Sequence, residues 1–243
     1  MSDLMGKVAV VTGASKVVGA VIAESLSAAG AAVVMNYSFS NQIADRIIAD
    51  IRASGGKVIA VEGDVSKAGD VRRLFAETKK TFDTLDVLVN NASVYKFLPL
   101  EEITEDEFHR EFNINVLGTL LSIKEAIQYF GPKGGSVINI STLASGGEPE
   151  PAIYSGTKGA VDAITRALAA ELRPRKIRVN AIALGEVGTE GSHNAGIVGS
   201  DFEKAMNART PLGRVGQVHK IAQVAVFLAS DDSTWLTGDR LTA

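Results

Sequence analysis

The sequence has no cysteine. That excludes a disulfide framework, a thiolate nucleophile and a thiolate metal site, and it fits a reducing, cytoplasmic setting. Only three histidines occur, far apart along the chain, so no metal is assigned. No uncharged apolar run reaches the ~18 residues that a membrane span needs. The opening MSDLMGK lacks the pattern of a secretory leader. A formal charge of -3, with no massed Lys or Arg, gives no pull toward nucleic acid. Linkers, repeats and low-complexity segments are also missing.

What remains is a chain of 243 residues, 46% of them hydrophobic. That suffices for one substantial core, and the expectation is a single domain over 1–243. Short apolar runs alternate with amphipathic stretches. Strands are expected at 7–12, 31–36, 57–62, 85–90, 136–141 and 177–183, with a last one near Arg240. Helices are expected at 19–29, 40–54, 68–82, 104–129, 152–171 and 217–228. The strands are continuously apolar rather than alternating, which suits a sheet buried on both faces. The rhythm predicts an α/β fold: a single-domain, Rossmann-type, doubly wound parallel sheet with helices on both faces. Ligands then bind beyond the carboxyl ends of the strands. The long connection 185–211 is either a substrate loop or a plain surface excursion.

The stretch TGASKVVGA follows the first strand. Gly13 sits where a tight turn needs freedom at φ, and Gly19 where the helix must approach the sheet or a ligand closely. Backbone amides at this helix start can face a phosphate. The second strand ends in Asn36, Tyr37 and Ser38, without a carboxylate to hold ribose hydroxyls. Lys16 lies in the turn. A ribose phosphate would meet a cation and small donors, which favours NADP(H) over NAD(H).

IYSGTKGA places Tyr154 and Lys158 four residues apart, on one face of a helix. A phenol with a pKa of about 10 is a poor acid at neutral pH, and a nearby ammonium favours its phenolate. The strand SVINIS ends at Ser141, which the sheet topology brings to the same edge. Its hydroxyl could hold a carbonyl beside the tyrosine. Thr142 is the alternative if the following loop is one residue short. Asn115, in the middle of an amphipathic helix, either holds a water connecting Lys158 to solvent or is a satisfied structural amide.

Together these residues resemble the short-chain dehydrogenase/reductase family over nearly the whole chain. Thr12, Gly13 and Gly19 match its glycine motif, and Asp64 in GDVS its adenine-side acid. Asn90, Asn91 and Ala92 match its NNAG segment. Gly185, Val187 and Thr189 match its PGxVxT segment. Asn115, Ser141, Tyr154 and Lys158 match its catalytic set. The resemblance implies a cofactor strip of Gly13, Ser15, Lys16, Val17, Val18, Gly19, Asn36, Tyr37, Ser38, Asp64, Val65, Asn91, Ala92, Ser93, Tyr154, Lys158, Gly185, Val187 and Thr189. It implies that Tyr154 gives a proton to a carbonyl oxygen oriented by Ser141, that Lys158 lowers the tyrosine pKa and holds the nicotinamide ribose, and that Asn115 supports a relay water. It also implies a homotetramer built on 104–129 and 152–171, and a neighbourhood near ketoacyl-carrier-protein reductases and bacterial glucose dehydrogenases.

The chain departs from that pattern at several places. Val17 replaces a glycine. In a right-handed backbone it would only crowd the cofactor, at positive φ it would force the turn to move, and it could also reshape the site usefully. Ser93 replaces the NNAG glycine, and Leu184 replaces a proline. The chain stops at TGDRLTA, before the glycine pair that usually closes the family. Candidate pocket residues are Ser93, Val94, Tyr95, Ser145, Glu148, Glu150, Leu184, Glu186 and 190–205, with Pro149 and Pro151 stiffening the loop. The expected partner is a small carbonyl or alcohol. A general carbonyl reductase leads, ahead of ketoacyl reduction and sugar or polyol dehydrogenation. A catalytically silent nucleotide-binding scaffold is the reading from another class.

Overall fold

A computed structural model describes residues 3–15, 17–38, 41–143, 152–185, 187–188, 204, 207–208, 210 and 212–243. Seven strands form one wholly parallel sheet in the order β3-β2-β1-β4-β5-β6-β9. They are β1 (Val8–Val11), β2 (Ala32–Tyr37), β3 (Val58–Glu62), β4 (Val87–Asn90), β5 (Gly135–Thr142), β6 (Ile177–Leu184) and β9 (Arg240–Thr242). A small separate pair joins β7 (Val187–Gly188) to β8 (Gly216–Gln217).

The expected apolar runs become strands because each side chain, on either face, meets a helix layer. Ala9, Val11, Val33, Met35, Val89, Ile138 and Ile182 pack under α1 (Val17–Ala28) and α7 (Val218–Ala229), through Ile22, Leu26, Ile221 and Leu228. Val10, Val34, Leu88, Val137 and Val179 face the other way. They meet Leu74 and Phe75 of α3 (Ala68–Phe82), Ile123 of α5 (Gly118–Ala126) and Ala169 of α6 (Ala152–Glu171). Helix α2 (Asn41–Ala53) adds Ile47 and Ile51 to the first layer. Each fully buried Val, Leu or Ile contributes on the order of 2 kcal/mol of transfer free energy.

The single helix expected at 104–129 is broken. Thr104 caps α4 (Glu105–Phe112) by accepting from the Glu107 amide at 3.2 Å, with three acids in the first turn facing the positive end of the helix. A π turn (Asn113–Leu117) then intervenes before α5. Asn115 lies at its centre. Most of the expected substrate loop 185–211 lies outside the described residues. Among the described residues, no helix is long and apolar enough to cross a membrane, and no His, Asp and Glu group could hold a metal.

Strand order reverses between β2 and β4 on either side of β1. The two crossovers leave opposite faces there, so a crevice opens beyond the strand ends.

Candidate active site

The crevice is laced together by Thr12 and Asn91. Thr12 Oγ1 accepts from the amides of Asn91 and Ala92, both at 3.1 Å. Asn91 Nδ2 donates to the carbonyls of Thr12 and Gly13, both at 3.0 Å. This close seam dictates the glycines. Gly13 has φ +62°, and a Cβ there would lie 2.7 Å from Ala92 Cα. A Cβ on Gly19 would lie 2.4 Å from Asn91 Nδ2 and 2.6 Å from the Gly13 carbonyl oxygen. Both positions exclude a side chain through the protein's own packing.

Val17 does not sit at positive φ: among the described residues only Asp83 and Lys176 are non-glycine residues there. It opens α1 in a right-handed conformation and is 44% exposed. Of the three outcomes, this backbone removes the one that needed a positive φ.

A cavity of about 1080 Å³ follows the strand ends. Its walls include Gly13, Ser15, Asn36, Ser38, Asp64, Val65, Asn91, Ala92 and Ser93, all expected from the sequence. They also include Val94, expected as a pocket residue, and Ile43, Arg73 and Ile114, which were not expected. Arg73 is bound to Asp70 Oδ1 at 2.8 Å and to the Glu62 carbonyl at 2.8 Å, so it brings a fixed cation to the wall. Asp64 Oδ1 caps the turn after β3, accepting from Ser66 N at 2.9 Å and Ser66 Oγ at 2.7 Å.

The cavity ends at Ser93, whose hydroxyl bonds the Tyr154 phenol. Tyr154 and Lys158 share a face of α6, as expected, with Lys158 Nζ 5.6 Å from the tyrosine ring centre. Lys158 is buried and donates to the Ile140 carbonyl at 2.7 Å. Tyr95 leans on Tyr154, ring centres 5.5 Å apart, and Phe97 continues the aromatic edge 5.3 Å further on.

Comparison with known proteins gives this geometry a family. Residues 13–243 match the family model described as enoyl-(acyl carrier protein) reductase. The chain superposes on a short-chain dehydrogenase/reductase mutant from Serratia marcescens with a TM-score of 0.92, at 30% identity, covering 99% of this chain and 97% of that one. The chain belongs to the short-chain dehydrogenase/reductase family. An uncharacterised oxidoreductase of Methylorubrum extorquens is 53% identical over 100% of this chain and 98% of its own length. Versicolorin reductase 1 of Aspergillus parasiticus is 36% identical over 98% and 96%. A blue fluorescent protein from a metagenomic library, solved in complex with NADPH, superposes with a TM-score of 0.91 at 31% identity over 99% and 97%.

Within this oxidoreductase family the details depart from several expectations. Asn36 turns inward: it is buried and its Nδ2 donates to the carbonyls of Val61 at 3.3 Å and Gly63 at 2.9 Å. Its amide nitrogen ties β2 to the end of β3, while the residue also lines the cavity. Val18 packs against the core, leaving only its backbone toward the turn. The Asn115 side chain is bonded at both ends. Its Oδ1 accepts from Val94 N at 2.8 Å, and its Nδ2 donates to Val94 O at 2.8 Å and Thr157 Oγ1 at 3.1 Å. These bonds fit the structural-amide alternative, and Asn115 sits within the π turn.

Tyr154 is not depressed in the protein alone. Burial pushes its pKa up to about 12; Tyr95 and Glu111 add to the rise, and the Ser93 hydroxyl opposes it. Lys158 goes the other way, to about 8, because burial disfavours its charge more than Asp162 favours it. Ser141 is 1% exposed, and its Oγ has no hydrogen-bond partner among the described residues. Thr142 is half-buried at the end of β5, with Oγ1 3.4 Å from the Leu184 carbonyl.

Arg240 fastens this end of the sheet. It donates to Asp162 Oδ2 at 2.8 Å and to the Thr142 carbonyl at 2.8 Å. Gly185 donates to the Ala243 carbonyl at 2.9 Å, and Val187 packs on the core nearby. Lys16, Ser145, Glu148, Pro149, Glu150, Pro151, Glu186, Thr189 and 190–203 lie outside the described residues.

Proposed function

We propose that the protein is an NADP(H)-dependent carbonyl reductase, converting a ketone to a secondary alcohol reversibly. The observation that carries this reading is the Tyr154 hydroxyl, bonded by Ser93 on the crevice wall, with Lys158 against the same ring. The crevice fits a dinucleotide: its cavity of about 1080 Å³ runs beyond the strand ends beside the glycine turn and the start of α1. The nicotinamide, when bound, supplies the hydride.

The protein's own part is proton supply and alignment. Tyr154 gives its phenolic proton to the carbonyl oxygen, and takes one from the alcohol in reverse. A pKa near 12 suits the resting acid, which stays protonated at neutral pH. Lys158 holds charge close to the phenolate that proton loss would leave. Ser141 or Thr142 orients the carbonyl. Ser141 has the unpartnered hydroxyl, and Thr142 has the greater exposure. Asn115 holds Val94, and with it the wall that carries Ser93. The absence of a carboxylate on Tyr37 and Ser38 supports the choice of NADP(H).

The aromatic edge of Tyr95 and Phe97 favours a planar, unsaturated ketone over a sugar. The relatives named as versicolorin reductase and hydroxynaphthalene reductase-like proteins agree with that preference. Exposed Phe108, Leu117 and Leu120 beside α6 support a homotetramer through α4–α6.

Titration of NADPH and NADH against nicotinamide fluorescence, followed by a ketone panel read by nicotinamide absorbance, tests the reading. Tight NADPH binding with consumption is expected, and Tyr154→Phe abolishes consumption while binding persists. Preference for NADH overturns the cofactor assignment. Binding without turnover of any ketone, or of neither nucleotide, puts the silent scaffold in its place.

A further inference from the structure

One buried acid near the tyrosine has no place in that chemistry. Glu111, on α4, is 0% exposed. Its Oε1 accepts from the Lys96 amide at 2.7 Å. Its Oε2 is buried and faces no donor. A carboxylate in a helix read as polar, EDEFHREF, would ordinarily face water.

Glu111 and Asn115 are one helical turn apart, and both hold the same extended segment. Asn115 takes Val94 by both its backbone groups, and Glu111 takes Lys96 two residues on. A helix spacing of four thus matches a strand spacing of two, and the helix serves the segment as a neighbouring strand would. That segment carries Ser93, which bonds the Tyr154 hydroxyl, and Tyr95, which packs on its ring.

We infer that Glu111 is a positioning residue for Tyr154: it clasps the 93–96 segment through the Lys96 amide and so holds Ser93 and Tyr95 against the phenol. The inference rests on the reductase reading. The groups that act on Glu111 are Glu107 and Arg110 on its own helix, the Lys96 amide on the segment, and Tyr154 on α6. Arg110 forks onto Glu107 and holds that carboxyl below its ordinary range, so Glu107 is the ionised neighbour. Burial pushes Glu111 up to about 7, and a proton on it is shared toward Glu107. Losing that proton would leave two carboxylates side by side in a closed site, and would oppose the tyrosinate that alcohol oxidation requires.

Two measurements test this on the full-length protein. Carboxyl-carbon NMR of glutamate-labelled protein, without substrate, is expected to show one glutamate titrating near neutrality that vanishes in Glu111→Gln. Its absence overturns the inference whether or not a ketone is ever found, whereas no turnover by the wild type would overturn the reductase reading alone. In kinetics, Glu111→Leu lowers kcat/KM at least tenfold at unchanged NADPH affinity. Glu111→Gln restores most of that loss and moves the acidic limb of the alcohol-oxidation pH profile, where activity rises with tyrosine ionisation, to lower pH. A Gln variant as impaired as Leu, or either variant with the wild-type rate and profile, refutes it. Circular dichroism of the Leu variant guards against simple misfolding.

Discussion

Lys158 is the costliest charge in the crevice, and its removal has a calculable effect on stability. Burial lowers its pKa from 10.5 to about 8, equivalent to about 3 kcal/mol at ~1.4 kcal/mol per pH unit. Below pH ~8 the folded protein carries this charge at full cost. Between about 8 and 10.5 the folded state releases its proton while the unfolded chain keeps it, so stability climbs with pH across that window. Lys158→Met keeps the chain length and removes the charge. It also removes the bond to the Ile140 carbonyl, worth roughly 1 kcal/mol. The expected net is about 2 kcal/mol of stabilisation at pH 7, or roughly 4–8 °C in Tm for a chain of this size. Thermal unfolding of cofactor-free protein at pH 7, 9 and 10.5 is the assay. The advantage is expected to shrink with rising pH and disappear at the last point, while reductase activity is lost throughout. A variant less stable at pH 7, or an advantage that ignores pH, would refute the assignment of Lys158 as a buried, strained cation.

Gly19→Ala forces a methyl into Asn91 and the Gly13 carbonyl; the expected loss is about 1–3 kcal/mol of stability, with NADPH affinity falling at least tenfold by fluorescence titration. Val17→Gly removes the exposed side chain from the helix start, so NADPH is expected to bind more tightly although the fold loses up to ~1 kcal/mol. Glu111→Gln is expected to match the wild type in stability near pH 4.5 and to exceed it by up to about 3 kcal/mol above pH 7. The sign follows from the raised pKa: the folded wild type retains a proton that its unfolded chain has already lost, so its stability falls as pH rises from 4.5 toward 7. Denaturant melts across that range decide it.

The sheet was legible because β1, β2, β4, β5 and β6 are enclosed on both faces, which leaves unbroken apolar runs in the sequence. Tyr154 and Lys158 were legible because their relation is local, one helical turn. What escaped was non-local. Asn36 sits at a strand end where a ligand donor is expected, but its partners are Val61 and Gly63 on the next strand. Asn115 looked like a break in an amphipathic helix. Its bonds reach Val94, 21 residues earlier, and it sits within a π turn that the sequence pattern does not show. Glu111 reads as one more charge on a solvated face, and only its Lys96 partner reveals it as buried. For Val17 the sequence left the backbone open, and the start of α1 decides it.

The Arg240 clasp also orders events in time. Its two partners, Asp162 on α6 and the Thr142 carbonyl on β5, belong to the elements that carry the tyrosine, the lysine and the serine. Asp162 precedes Arg240 by 78 residues. At about 5–20 residues per second of synthesis, it waits roughly 4–16 s for its counter-ion. During that interval β6 is an open edge, and the carboxylate beside Lys158 is unanswered from that side. A nascent chain released before residue 240 would hold every catalytic side chain and still lack the clasp that binds α6 to β5.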